Sequence, residues 1–184
     1  ETTVGMYQSN FVVDTRPMGA TGDSAPLLWQ TFLGFEIECD QPSFDSSTAH
    51  LMDFTEVVDG SIPFIYLLPI NDSQALVELT KIGSDRLDPE TMDVELQTAI
   101  THMIGTTKYR VVRTETGAIP MGLSQSAGDR ISTYVNVGVT GGSARPSSGY
   151  AFCRIQRWAD VCCRSLVSGK PPLNPLPDST MVRF

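Results

Sequence analysis

Basic residues are scarce in this chain: 13 Lys and Arg stand against 21 Asp and Glu in 184 residues, a formal charge of -8. That balance repels phosphate backbones, and no Lys/Arg cluster with interleaved aromatics overrides it, so nucleic acid is excluded as a partner class. Long apolar runs are missing too. No stretch reaches the ~18 residues a spanning helix needs, and the start, ETTVGMYQSNF, has neither the basic nor the long apolar region of a signal peptide. Contact with a membrane would therefore be peripheral. Histidine is limited to His50 and His102, far from each other and from any CxxC, which removes the ligand spacing of a zinc site. Cysteine is limited to Cys39, Cys153, Cys162 and Cys163. The side chains of the adjacent pair diverge within a helix, and all four read as reduced thiols. There is no internal repeat and no low-complexity tract.

What is present is ordered-protein composition, with 41% hydrophobic residues, enough for one sizeable core. Residues 11–14 (FVVD) predict a short strand running into the loop TRPMGATGDSAP. Residues 28–39 (LWQTFLGFEIEC) alternate, so that Trp29, Leu33, Phe35 and Ile37 share one face while Phe32, Gly34, Glu36 and Glu38 share the other. Residues 51–58, 62–69 and 75–82 follow as strands, separated by Asp59-Gly60 and Asn71-Asp72-Ser73, and predict an antiparallel meander. Asp88-Pro89 opens a helix with Asp as cap; Leu96, Ile100, Met103 and Ile104 form its apolar stripe and Gly105 ends it. Residues 109–113, 118–121 and 134–139 read as three further strands. A helix over about 150–166 buries Ala151, Ile155, Trp158, Ala159 and Cys162, with Arg154, Arg157 and Arg164 on another face. The layout predicts a sheet-rich α/β or α+β architecture.

Two features carry chemistry. GVTGGSARPSSGYAF puts Gly141 and Gly142 at a strand end and Gly149 before the helix, where free N–H groups and the positive helix end could take an anionic group; the same residues also suit a plain turn. Carboxylates are the second. Glu36 and Glu38 lie about 6.6 Å apart on one strand face beside Gly34, whose missing side chain leaves room for a bulky ligand, and Glu78 interrupts the apolar strand ALVELTKI. Carboxyls on a strand normally face solvent, but a buried one holds its proton toward neutrality and can act as an acid.

Four segments in order, FVVDTRP, LWQTFLGFEIECDQPSFD with LMDF, PFIYLLPINDSQALVELT, and GGSARPSSGYAF, resemble the flavin-dependent lycopene cyclases, with IPMG at 119–122 falling between the last two. The resemblance covers roughly residues 11–166. It implies an FAD/NAD(P)-binding flavoprotein of the monooxygenase-like group, divided into the end of a flavin-domain segment (1–27), an antiparallel-sheet substrate domain (28–122) and a return to the flavin domain (123–184). It further implies acid-catalysed cyclisation of the linear ends of lycopene, with FAD reduced by NAD(P)H yet no net redox change, at the cytoplasmic side of a membrane. Carried over by position, Glu36 and Glu78 look catalytic; Gly141, Gly142, Pro146, Ser147 and Gly149 would border the flavin. Phe32, Phe35, Glu38, Asp53, Phe54 and Tyr66 would line the substrate, with Trp29 and Phe64 as further aromatic candidates. Arg145 stands where many relatives carry Lys, and Leu79 where several carry a second acid. No G-x-G-x-x-G follows a strand near the start, and the family's C-terminal extension is not in the sequence, so the chain reads as a fragment that does not hold FAD tightly or turn over alone. Two other functions share these features: a flavin monooxygenase or isoprenoid reductase, which would consume oxygen or hydride, and a non-catalytic module for an apolar ligand.

Overall fold

The structure is a computed structural model that describes residues 5–16, 26–54, 60–122, 133–139, 141–145 and 147–175. It divides into two compact units, one of residues 28–119 and one of residues 1–27 with 120–184.

The first unit is a five-stranded sheet. Its strands are β2 (Leu28–Cys39), β3 (His50–Phe54), β4 (Ile62–Pro69), β5 (Gln74–Gly83) and β6 (Tyr109–Met121), in the order β3-β4-β5-β2-β6. β2, β4 and β5 run antiparallel, with Gly34 opposite Glu78, Glu36 opposite Leu76, and Tyr66 opposite Glu78. A tight turn fixes this register. Asn71 Oδ1 accepts from Ser73 N–H at 2.8 Å, and Ile70 N–H bonds Gln74 O at 2.7 Å, so the Asn-Asp-Ser cluster closes the β4–β5 hairpin as its composition predicts.

Alternation in β2 sorts the two faces. Leu33, Phe35, Ile37 and Cys39 are buried with Ile65, Val77 and Leu79 under α1 (Asp93–Ile104), which contributes Leu96, Ile100 and Ile104. Leaving water with these apolar side chains is what fastens the helix to the sheet. Met103, expected in the apolar stripe, is instead 38% exposed, because it lies to one side of the Leu96–Ile100–Ile104 row. The helix also opens differently from the expectation. Asp88 does cap, its Oδ1 accepting from Glu90 N–H at 3.0 Å, but Pro89–Met92 is a 3-10 turn before the α-helix begins. Gly105 ends the helix with φ 64°.

The largest difference from the sequence expectation is in β6. Residues 109–113 and 118–121 are one continuous strand, not two, because Gly117 serves packing instead of breaking the ladder. A Cβ there would sit 2.5 Å from Phe32 Cζ, so the missing side chain makes room for that ring. On the edge strand β3 the register slips between His50 and Asp53, with Met52 at φ 53°; the last four residues of the expected 51–58 strand, 55–58, fall outside the described residues.

The second unit contains a parallel pair, β1 (Val12–Asp14) and β7 (Tyr134–Asn136), and the helix α2 (Phe152–Val167). Asp14 is buried at the end of β1 and accepts from Arg16 and from the Tyr134 hydroxyl, which together hold its carboxyl well below the usual range. β7 ends earlier than expected, and the chain turns at Gly138 with φ 79°. Among the described residues α2 fully buries only Cys162; Ala159, expected inside, is exposed, and Trp158 is half-buried with its indole N–H donating to Leu173 O at 2.8 Å. Burial pushes the Cys39 and Cys162 thiols up, whereas Cys153 and Cys163 are exposed; none of the four is in a disulfide. No helix among the described residues is long and apolar enough to cross a membrane.

Candidate active-site face and glycine loop

The sheet face opposite α1 carries the chemistry of the first unit. Parity and register bring Glu36 and Glu78 to it from neighbouring strands, a diagonal pair of positions around Gly34. Glu36 is mostly covered, with 16% of its side chain exposed, and has two partners: Oε1 accepts from Gln74 Nε2 at 2.7 Å and Oε2 from Arg113 Nε at 2.9 Å. Arg113 also donates through Nη1 to Glu115 Oε2 at 2.8 Å, so one guanidinium bridges two carboxylates. The two acidic neighbours raise its own proton affinity.

Glu78 has a different environment. Its Oε1 accepts from Thr80 Oγ1 at 3.0 Å, no cation pairs with it among the described ion pairs, and burial pushes its carboxyl from the ordinary 4.5 up to about 7. The neighbouring Glu115 carboxyl adds to the rise, opposed by the Thr80 hydroxyl. One face thus holds a glutamate charge-balanced by arginine and another that keeps its proton near neutrality, the pairing that acid–base chemistry requires.

The remaining candidates separate by face. Phe32 lies on the Glu78 face, half-buried against Gly117, and Phe64 and Tyr66 lie there too, with ring centroids 5.4 Å apart in an edge-on contact. Phe54 continues the aromatic row, 5.4 Å from Phe64, and is 58% exposed. Phe35 does not belong to this lining, since odd parity in β2 sends it into the core under α1. Trp29 shares that parity and has the Arg86 guanidinium over its ring at 5.6 Å. Glu38 is on the acidic face but pairs with Arg110 at its exposed margin. Asp53 is exposed on the edge strand opposite Ile65, on the other side of the sheet.

In the second unit the glycine segment is built from close turns. A Cβ on Gly141 would lie 2.6 Å from both Asn136 O and Val137 Cα, so only glycine lets the chain fold back on the end of β7. Gly142 and Gly149 have φ of 74° and 69°, and the N–H groups of Gly142, Ser143, Ser148 and Gly149 bond carbonyls of the same segment. Ser147 lies between these turns, exposed; Pro146 lies outside the described residues. Sequence reasoning missed three participants here. Asn136 Oδ1 is buried without a hydrogen-bond partner among the described residues, and a Cβ on Gly138 would meet nothing within 4 Å. Arg154, expected on an outward face of α2, turns back to donate from Nη1 to Gly142 O at 3.2 Å and Ser143 O at 3.3 Å. Arg154→Ala should therefore loosen the segment by about 1.5 kcal/mol, the worth of charged hydrogen bonds at a half-buried site. Urea titration of the variant checks it, and an unchanged midpoint would show the contact to be idle.

The comparisons with known proteins agree on one family. The sequence profile described as lycopene cyclase protein matches residues 5–172, and the chain belongs to that family. It is 31% identical over 151 residues to a lycopene beta-cyclase of Paracoccus sp., covering 78% of this chain and 37% of that protein. To a lycopene beta-cyclase of Pseudescherichia vulneris it is 29% identical over 172 residues, 88% of this chain and 42% of the relative. The chain thus spans about two-fifths of the length of these curated relatives. No solved structure matches it.

Proposed function

We propose that this chain supplies the proton-handling face of a lycopene cyclase, an isomerase of carotenoid biosynthesis that closes rings on the ends of linear lycopene. The observation that carries the reading is the contrast between Glu78, desolvated and holding its proton up to about pH 7, and Glu36, paired with Arg113 on the same sheet face. Glu78 gives its proton to a terminal carbon–carbon double bond, whose electron pair forms the new C–H bond. A neighbouring double bond attacks the resulting carbocation and closes a six-membered ring. Glu36 then accepts a proton from the carbon next to the cation, whose C–H electrons become the new double bond, so atoms and electrons balance with no net redox. Phe32, Phe54 and Tyr66 stand on this side of the sheet, where aromatic rings can stabilise positive charge.

The glycine segment fits a flat polar ring. A Cβ on Gly138 would meet nothing within 4 Å, and Asn136 Oδ1, buried without a partner among the described residues, would offer an acceptor to a ring N–H. Gly141, Gly142, Ser147 and Gly149 would shape the border, and Arg154 would keep that border in place. FAD, when bound there and kept reduced by NAD(P)H, would supply a fixed negative charge. An apolar polyene as substrate would bring the complete protein into peripheral contact with a membrane, which we assign to the cytoplasmic side.

Glu36→Gln and Glu78→Gln in the complete protein, expressed in a lycopene-accumulating host, should each leave lycopene unconverted while flavin remains bound. Cyclic product at the parent level from either variant overturns the assignment of that residue.

A further inference from the structure

β5 and β6 are not neighbours: β2 lies between them, which puts their backbones about 9.5 Å apart at the usual strand spacing. Side chains from two such strands are normally kept apart by the side chain of the strand between. At Gly34 there is none. A Cβ on Gly34 would sit 3.0 Å from Glu115 Cγ, 3.3 Å from Leu76 Cδ1 and 3.4 Å from Glu78 Cβ, so the two glutamates flank the glycine from either side and share its place with the Leu76 side chain. The Glu115 carboxyl is fixed there by Arg113 Nη1 at 2.8 Å, and Arg113 is itself fixed by Glu36 through Nε at 2.9 Å. The row reads Glu36, Arg113, Glu115, Glu78: three carboxyls to one guanidinium. Two glutamates brought together across one glycine cannot both stay ionised cheaply, and one proton between them removes the repulsion.

We propose that Glu78 and Glu115 form a proton-sharing pair assembled across Gly34, in which Glu115, anchored by Arg113, is the positioning residue that keeps the proton on Glu78. Glu115 need not touch substrate; it acts through Glu78. The inference deepens the cyclase reading and rests on it for its purpose, but the pair itself is a property of the folded sheet. The groups that bear on Glu78 are Glu36 on β2, Tyr66 opposite it on β4, Thr80 on its own strand, and Arg113 and Glu115 on β6; the Glu38–Arg110 pair stands further along the face.

The test follows Glu78 directly. In the 184-residue chain with ¹³C-labelled glutamate carboxyls, the carboxyl signal that disappears in Glu78→Gln identifies it, and its midpoint is read between pH 4 and 9. Glu115→Gln keeps the shape and a hydrogen-bond donor but removes the facing charge, so the midpoint should fall by about one pH unit or more. Arg113→Gln removes the cation that balances Glu115, so the midpoint should rise instead. Opposite shifts support the pair. An unchanged midpoint in Glu115→Gln, or a fall in both variants, overturns it; should Glu115→Gln not fold, the direction in Arg113→Gln alone decides. The titration needs no turnover, so it can fail while ring formation still depends on Glu78, and it can succeed in a protein that cyclises nothing.

Discussion

Alanine at position 141 should cost about 3 kcal/mol, at the upper end of what an overpacked methyl does to a rigid site. The cost is high because the added carbon meets backbone on both sides. Asn136 O and Val137 Cα would each lie 2.6 Å from it, and neither can rotate away as a side-chain end can. Relief requires the turn to open, which pulls Gly142 N–H off Val139 O and Ser143 N–H off Gly138 O, bonds of 3.0 Å each. Opening also carries away the carbonyls of Gly142 and Ser143 that Arg154 holds. Gly138→Ala makes the control, since its Cβ meets nothing within 4 Å and the penalty there comes only from the left-handed φ of 79°. Urea unfolding of both variants should put the 141 substitution well below the 138 substitution in stability. Equal costs would mean that the segment is a loose loop, unsuited to holding a rigid ring edge.

The antiparallel meander and the side of β2 that faces the helix were legible because their signals are local. Alternation over twelve residues, an Asn-Asp-Ser turn and an Asp-Pro helix start each follow from neighbours in the chain. Glu36 and Glu78 were legible as acidic side chains in strands, and the family resemblance picked them out, but nothing local distinguishes their environments. Glu36 finds Arg113 77 residues away and Gln74 38 away, so its charge balance belongs to the fold. Glu115 was hidden for a specific reason. The segment 114–117 contains Glu and Gly, which strands disfavour, so it reads as a break. The strand survives because Gly117 receives the Phe32 ring, a benefit that depends on β2. The clue available was parity: Arg113, Glu115 and Gly117 alternate, as residues on one strand face must. Phe35 shows the converse, where the same alternation already separated it from Phe32.

Glu78→Gln should make the sheet unit more stable than the parent at pH 8 while removing the proposed acid. Folding carries the Glu78 carboxyl from an ordinary 4.5 to about 7, chiefly because burial disfavours its charged form, with Glu115 adding repulsion. A group whose folded value is raised contributes stability that is full below the unfolded value and is lost as pH rises through the folded one. Between pH 5 and 8 the parent therefore loses stability, because above pH 7 the fold must hold an uncompensated carboxylate. A shift of this size corresponds to ~3 kcal/mol for a group wholly cut off from water, and the partial exposure of Glu78 reduces that to about 2 kcal/mol. Glutamine has the shape and none of the charge, so it is spared the loss. Urea titrations at pH 5 and pH 8 should show the variant close to the parent at the lower pH and ahead by about 2 kcal/mol at the higher. All other ionisable groups are common to both proteins, so the difference reports this carboxyl together with its coupling to Glu115. A parent and variant that lose stability in parallel over that interval would place the Glu78 charge in water, and a solvated carboxylate cannot protonate an alkene near neutral pH. A gain at pH 8 accompanied by loss of ring formation would show strain retained at a functional position, stability given up to keep a proton where chemistry uses it.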